Sequence, residues 1–203
     1  MFDLKSIASQ FQVKGTFIFG ESFGCGHIND TYACYFKRKF EHPLRYIVQR
    51  INHQIFKDVP ALMQNIDAVT SFLAKKVAEL GGDPAREVLQ IVKTTDDQLF
   101  YRDEDGSYYR AYVFVDDAVC LQHIEQPEHF YQSAKAFGRF QKLLSDFPAD
   151  TLTETIPAFH NTRARYEAFL AAVDADLVGR RALVQQEIDF IKAREQDTGI
   201  LLH

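Results

Sequence analysis

The chain has 203 residues, 46 % of them hydrophobic and 25 % charged, the balance of a folded protein rather than a disordered one. Its formal net charge of −5 argues against non-specific nucleic-acid binding, so no nucleic-acid partner is expected. No stretch approaches the ~20 apolar residues of a membrane span, and no membrane partner is expected.

The cysteines, Cys25, Cys34 and Cys120, are odd in number and fit no paired spacing. That pattern suits a reducing cytoplasm, which is the expected location. No signal-peptide pattern opens the chain. A chain of this size buries a core without a disulfide or metal staple.

Leu4, Ile7, Ala8 and Phe11 lie at helical spacing and predict a short first helix. Strands are predicted over 13–21, 27–36 and 45–51, with the polar run from Lys37 through Phe40 to Pro43 as a hairpin connector. Asp58-Val59-Pro60 is a helix start, and Leu62, Ile66, Val69, Leu73, Val77 and Leu80 follow on one face. Further strands are predicted over 88–95, 98–101 and 108–115, with a turn at Asp103–Ser107. From Pro127 the pattern is helical. Phe130, Phe137, Phe140 and Phe147 read as a core stripe, and Asn161 as the cap of a helix carrying Tyr166, Phe169, Leu170 and Val173. Leu183, Ile188 and Ile191 predict one more helix. A β-rich half followed by a helical half makes the expected class α+β.

The segment with the most chemistry is Gly24-Cys25-Gly26-His27-Ile28-Asn29-Asp30-Thr31-Tyr32, between the first two strands. Glycines at alternate positions let backbone N–H groups approach and cradle phosphate oxygens. By itself such a pair reads equally as a hairpin turn. His27 is either a phosphate contact or a hairpin cap, and Cys25 with His27 is too thin a pair for a metal site. The phosphate-loop and dinucleotide glycine motifs are both absent. A glycine hairpin, a strand, a long helix and a strand running into a helical half is the order of a kinase-like amino-terminal lobe. In that order the end of the last strand, Val113, Phe114 and Val115, borders a base.

Several blocks in sequence carry a resemblance. They include Gly26-His27-Ile28-Asn29-Asp30-Thr31-Tyr32, Tyr46-Ile47-Val48-Gln49-Arg50-Ile51-Asn52, Leu62-Met63-Gln64-Asn65-Ile66, Ala136-Phe137-Gly138-Arg139-Phe140-Gln141 and Phe159-His160-Asn161-Thr162-Arg163. They resemble the N-acetylhexosamine 1-kinases of the aminoglycoside phosphotransferase, protein-kinase-like superfamily. The resemblance implies an antiparallel-sheet nucleotide-binding lobe over 1–116 with one long helix, then the first helices of a helical lobe over 117–203. It implies ATP and Mg²⁺ as cofactors and transfer to the anomeric hydroxyl of a small sugar. The nucleotide-binding residues it implies are Gly24, Gly26, His27, Asn29, Thr31, Gln49, Val113, Phe114 and Val115. Gln49 stands where many kinases have a phosphate-pairing lysine, and Asn65 where they have a glutamate, so a Gln49–Asn65 pair is expected.

The family's catalytic segments, His-Asn-Asp-x-Lys-x-Asn and Asp-x-Asp, do not occur in the chain, which yields no catalytic or metal-binding residue. The apolar run Gly199-Ile200-Leu201-Leu202-His203 therefore reads as a truncation point, and the Mg²⁺ site is expected beyond it. Alternatives are a non-catalytic nucleotide-binding fragment, or a related aminoglycoside, choline or homoserine kinase. The chain as given is expected to show no sugar-dependent ATP turnover in an ADP-release assay; steady turnover by the pure chain would contradict this.

Overall fold

The computed structural model describes residues 3–39, 41–119, 121, 123–200 and 202. Phe40, Cys120, Leu201 and His203, named above, lie outside these. The chain divides into two compact units, Met1–Thr155 and Ile156–His203.

The first unit is an antiparallel sheet with helices on it, an α+β arrangement. Helix α1 (Leu4–Ala8) starts at Asp3, whose Oδ1 accepts from the Lys5 and Ser6 N–H groups. The spacing predicts a longer helix, but Phe11 leaves it to bridge with Thr94. Strands β1 (Thr16–Ser22), β2 (Asp30–Arg38) and β3 (Glu41–Ile51) form the expected meander. The connector is shorter than predicted because β2 and β3 pair as far as Arg38 opposite Glu41.

Helix α2 (Val59–Glu79) begins where Asp58 predicts, with Asp58 Oδ1 accepting from Ala61 N–H at 2.9 Å. A single turn, α3 (Pro84–Glu87), precedes β4 (Ile91–Val92), β5 (Tyr101–Arg102) and β6 (Tyr108–Val113). The sheet order is β1-β2-β3-β6-β4, with β5 also on β6. One edge of β6 pairs along its whole length with β3; the other is shared by β4 at one end and β5 at the other. That sharing is why the strands predicted over 88–95 and 98–101 shrink to two residues each. The predicted 108–115 strand stops at Val113.

Strand alternation separates the two faces of the sheet. On one, Cys34, Phe36, Tyr46, Val48, Tyr109, Ala111 and Val92 pack against Ile7, Ala8 and Phe11 near α1. Gly20 allows this approach, since a Cβ there would lie 2.9 Å from Leu4 Cδ1 and 3.3 Å from Cys34 Sγ. On the other, Ile51 packs with Val59 and Met63 at the start of α2. The central strand is thus buried on both sides, with Val48 and Ile51 almost wholly inaccessible.

Helix α4 (Pro127–Leu143) departs from expectation. Phe130 and Phe137 are 65 % and 68 % exposed, and Phe140 is 46 % exposed. The aromatic stripe is not core. The face turned to α2 is Gln132, Ala136, Arg139 and Leu143 together with Phe140 of the predicted stripe, which line a groove of about 410 Å³ with Leu73 and Val77. Of the predicted stripe, Phe147 packs edge-on against Phe72 at 5.2 Å. Ion pairs Arg139–Glu87 and Lys76–Asp146 hold the same region.

In the second unit, α5 (Thr162–Ala175) is capped as predicted, with Asn161 Oδ1 accepting from Ala164 N–H at 2.9 Å. Tyr166 on α5 and Ile188 on α6 (Gln185–Lys192) are buried. Leu177, Leu183 and Phe190 are exposed apolar side chains. Among the described residues no helix is long and apolar enough to cross a membrane.

Burial raises the Cys34 thiol from its ordinary 9.0 to about 11. Burial, helped by the hydrogen bond that Tyr109 donates to Asp103 at 3.0 Å, raises the Tyr109 phenol from 10.0 to about 12. A raised folded-state pKa means the folded chain holds its proton longer, so stability falls as pH rises through the window. Cys34 contributes stability that is complete below about pH 9 and lost by about pH 11. Tyr109 does the same between about pH 10 and about 12. Cys34→Ala should therefore remove the earlier part of the alkaline loss, moving its onset up by about one pH unit in urea titrations from pH 8 to 12.

Candidate functional site

Residues 23–29 link the end of β1 to the start of β2. The turn needs Gly24, whose φ of +81° is left-handed. Among the described residues nothing lies within 4 Å of where a Cβ would stand on Gly24 or Gly26. The backbone here faces open space rather than packing.

The loop is pinned at both ends. Phe23 N–H donates to Thr31 C=O at 2.9 Å, closing its base. Asn29 Oδ1 accepts from the Asn52 N–H at 2.8 Å, tying the loop to the end of β3. Asn29 is thus a structural anchor.

The loop also curls across the sheet. The Phe23 ring meets the Phe114 ring edge-on at 5.2 Å. Phe23 leaves β1 and Phe114 follows β6, three strands away, a span of roughly 14 Å at the usual spacing. A ring contact across that span requires the loop to fold over the sheet face. Phe114 lies on the α2 face by alternation, in a row with Arg45, Tyr35 and Phe19. Phe19 stacks on Tyr35 at 4.3 Å, and the Arg45 guanidinium lies 3.9 Å from the Phe114 ring centre. Arg45 is itself held by Asp116, which raises its pKa.

Two rows further along the same face stand Thr31, Gln49 and Arg110, directly opposite one another on β2, β3 and β6. Gln49 Nε2 donates to Thr31 Oγ1 at 2.7 Å. Gln49 Oε1 accepts from Arg110 Nε at 2.9 Å and Nη2 at 2.7 Å. Burial lowers the Arg110 pKa, partly offset by Tyr112. Between the two rows, Ala33 and Ile47 are buried.

The expected Gln49–Asn65 pair does not form. Both ends of the Gln49 amide are taken by its cross-strand neighbours. Asn65 instead makes a two-way amide pair with the Thr153 backbone, donating at 2.7 Å and accepting at 3.0 Å.

At the end of β6, Val113 N–H donates to Gln90 C=O and Phe114 N–H to Arg45 C=O. Val113 is opposite Tyr46 on the α1 face, so its side chain is not with Phe114. Val115 is exposed, and among the described residues neither its N–H nor its C=O has a hydrogen-bond partner. His27 is exposed at a polar depression of about 310 Å³ shared with Asp30, Arg50, Asn52 and His53. Arg50 and Asp30 face each other at 3.5 Å.

Thr31 and Gln49 are thus in direct contact, and Phe114 reaches the glycine loop through Phe23. His27 and Asn29 stand at the other side of the loop, beside Asn52. Arg110 is the residue the sequence reading missed. Its only local signal was a charge within an otherwise apolar strand, and its partner is 61 residues away. No group of three or more histidine, cysteine or acidic residues that could hold a metal occurs among the described residues. No protein-family model matches the chain.

Asn29→Ala removes the acceptor of a half-buried backbone N–H, a loss of about 1–3 kcal/mol. The expected result is amide exchange at Asn52 faster by about fivefold or more, with the β3 amides Ile47 and Val48 unchanged.

Proposed function

We propose that the unit Met1–Thr155 is the nucleotide-binding lobe of an ATP-dependent small-molecule kinase with a protein-kinase-like fold, and that the acceptor is an N-acetylhexosamine phosphorylated at its anomeric hydroxyl. The observation that carries the reading is the shared face: the Thr31–Gln49–Arg110 row and Phe114, whose ring meets Phe23 of the glycine loop, lie on the α2 side of one sheet.

The residues fit ATP in kind. Val115, two residues past the end of β6, offers one donor and one acceptor, the pairing that a base edge needs. The open backbone about Gly24 and Gly26 supplies N–H groups for phosphate oxygens. A Mg²⁺ ion does not fit among the described residues, since no carboxylate group is gathered to hold one. No transfer step is therefore assigned to these side chains; their part is to bind and orient the nucleotide.

The choice of acceptor rests on the sequence resemblance alone. The test is to titrate ATP into the ¹⁵N-labelled chain. Shifts clustered at Gly24, Gly26, Gln49 and Val115 are the expected outcome. A spectrum unmoved at millimolar ATP, or shifts confined to residues 156–203, would overturn the reading.

A further inference from the structure

We infer that the Arg110 guanidinium, aimed by Gln49 and Thr31, is a polyphosphate-binding group on the sheet face. The location rests on the nucleotide reading above, while the chemistry rests on Arg110's own surroundings.

Arginine has five N–H donors and no acceptor. Nε and Nη2 of Arg110 both point at Gln49 Oε1, and Nη1 lies 3.9 Å from Met63 Sδ. The remaining N–H groups on Nη1 and Nη2 have no partner among the described residues. Nor does the charge. Arg45, Arg50, Arg139 and Arg163 each meet a carboxylate, whereas Arg110, half-buried, forms no ion pair among the described residues. A cation held partly out of water with a neutral amide as its main partner is an arrangement that a bound oxyanion would relieve. Burial already depresses its pKa, in keeping with an uncompensated charge.

The orientation is fixed by hydrogen bonding. Gln49 accepts from Arg110 with its oxygen, so its amide nitrogen must face Thr31 Oγ1, which it does at 2.7 Å. A flipped amide would set two donors against two donors. Thr31 and Gln49 are positioning residues in this sense. Thr31, the second residue of β2, also accepts through its C=O from the Phe23 N–H that closes the base of the glycine loop. Gln49 occupies the place of a phosphate-pairing lysine without its charge, and Arg110 supplies that charge from the neighbouring strand.

The test titrates ATP, adenosine and sodium tripolyphosphate into wild type, Arg110→Met, Arg110→Lys and Gln49→Glu by calorimetry, with a thermal melt of each. Arg110→Met and Gln49→Glu should weaken ATP and tripolyphosphate by about ten- to hundredfold. Adenosine should stay within about twofold, and Arg110→Lys should retain most of the binding. A melting, folded Arg110→Met that binds ATP and tripolyphosphate like wild type overturns the inference. If Arg110→Met fails to fold, Gln49→Glu decides: it leaves Arg110 a partner but cancels its charge, and undiminished binding overturns the inference. Tripolyphosphate bound in an Arg110-dependent way with no preference for ATP supports this site and removes the nucleotide reading. ATP and adenosine bound equally, with no tripolyphosphate binding, does the reverse. No binding of any probe by wild type overturns both.

Discussion

Strand β3 is the element on which the first unit is registered. Its pairing with β2 fixes Thr31 opposite Gln49, and its pairing with β6 fixes Gln49 opposite Arg110. A slip of one residue on either side would carry each of those side chains to the opposite face. The slip is prevented by packing on both surfaces, since Val48 sits in the core near α1 while Ile51 sits beneath α2. The polar row survives in a sheet of apolar residues because every displacement that would break it also exposes buried aliphatic area.

The two rows of the α2 face handle polarity differently. In the outer row, Arg45 is stacked on Phe114 and paired with Asp116, so its charge is answered where solvent can reach it. In the inner row, the charge of Arg110 is answered by a neutral amide. Surface ion pairs contribute little, whereas a partly desolvated cation is costly to leave unanswered. The second arrangement is the one that a stability argument does not account for, and the proposed oxyanion site rests on it.

Elements whose signals are local were legible in the sequence. The Asp58 and Asn161 caps and the three-and-four spacing of α2 act within a few residues, and the chain obeys them except at Leu80, which ends α2 exposed. What failed depends on partners far along the chain. The periodicity of Phe130 and Phe137 identifies a face of α4 but not what covers it, and the residues of α4 that border the groove beside α2 include Ala136 and Leu143 instead. The short β4 and β5 reflect competition for one edge of β6. Within the site, the glycine loop and Gln49 were visible as residue types. The contacts that give Gln49 its meaning were not, because register sets them. Asn65 shows the same limit from the other side: its partner Thr153 is a backbone group with no sequence signature.

The contact between Phe23 and Phe114 makes the loop a rival for the surface it borders. On the proposed nucleotide reading, a base lying against Phe114 would compete with that ring. The rival is tethered to the same chain, so diluting the protein does not weaken it. Measured affinity is then the intrinsic affinity scaled by the fraction of molecules whose ring has swung clear. Loop composition thereby sets occupancy without touching the ligand: a smaller side chain at position 23 lowers the threshold for binding and gives up selectivity against flat molecules that bind too weakly to evict phenylalanine.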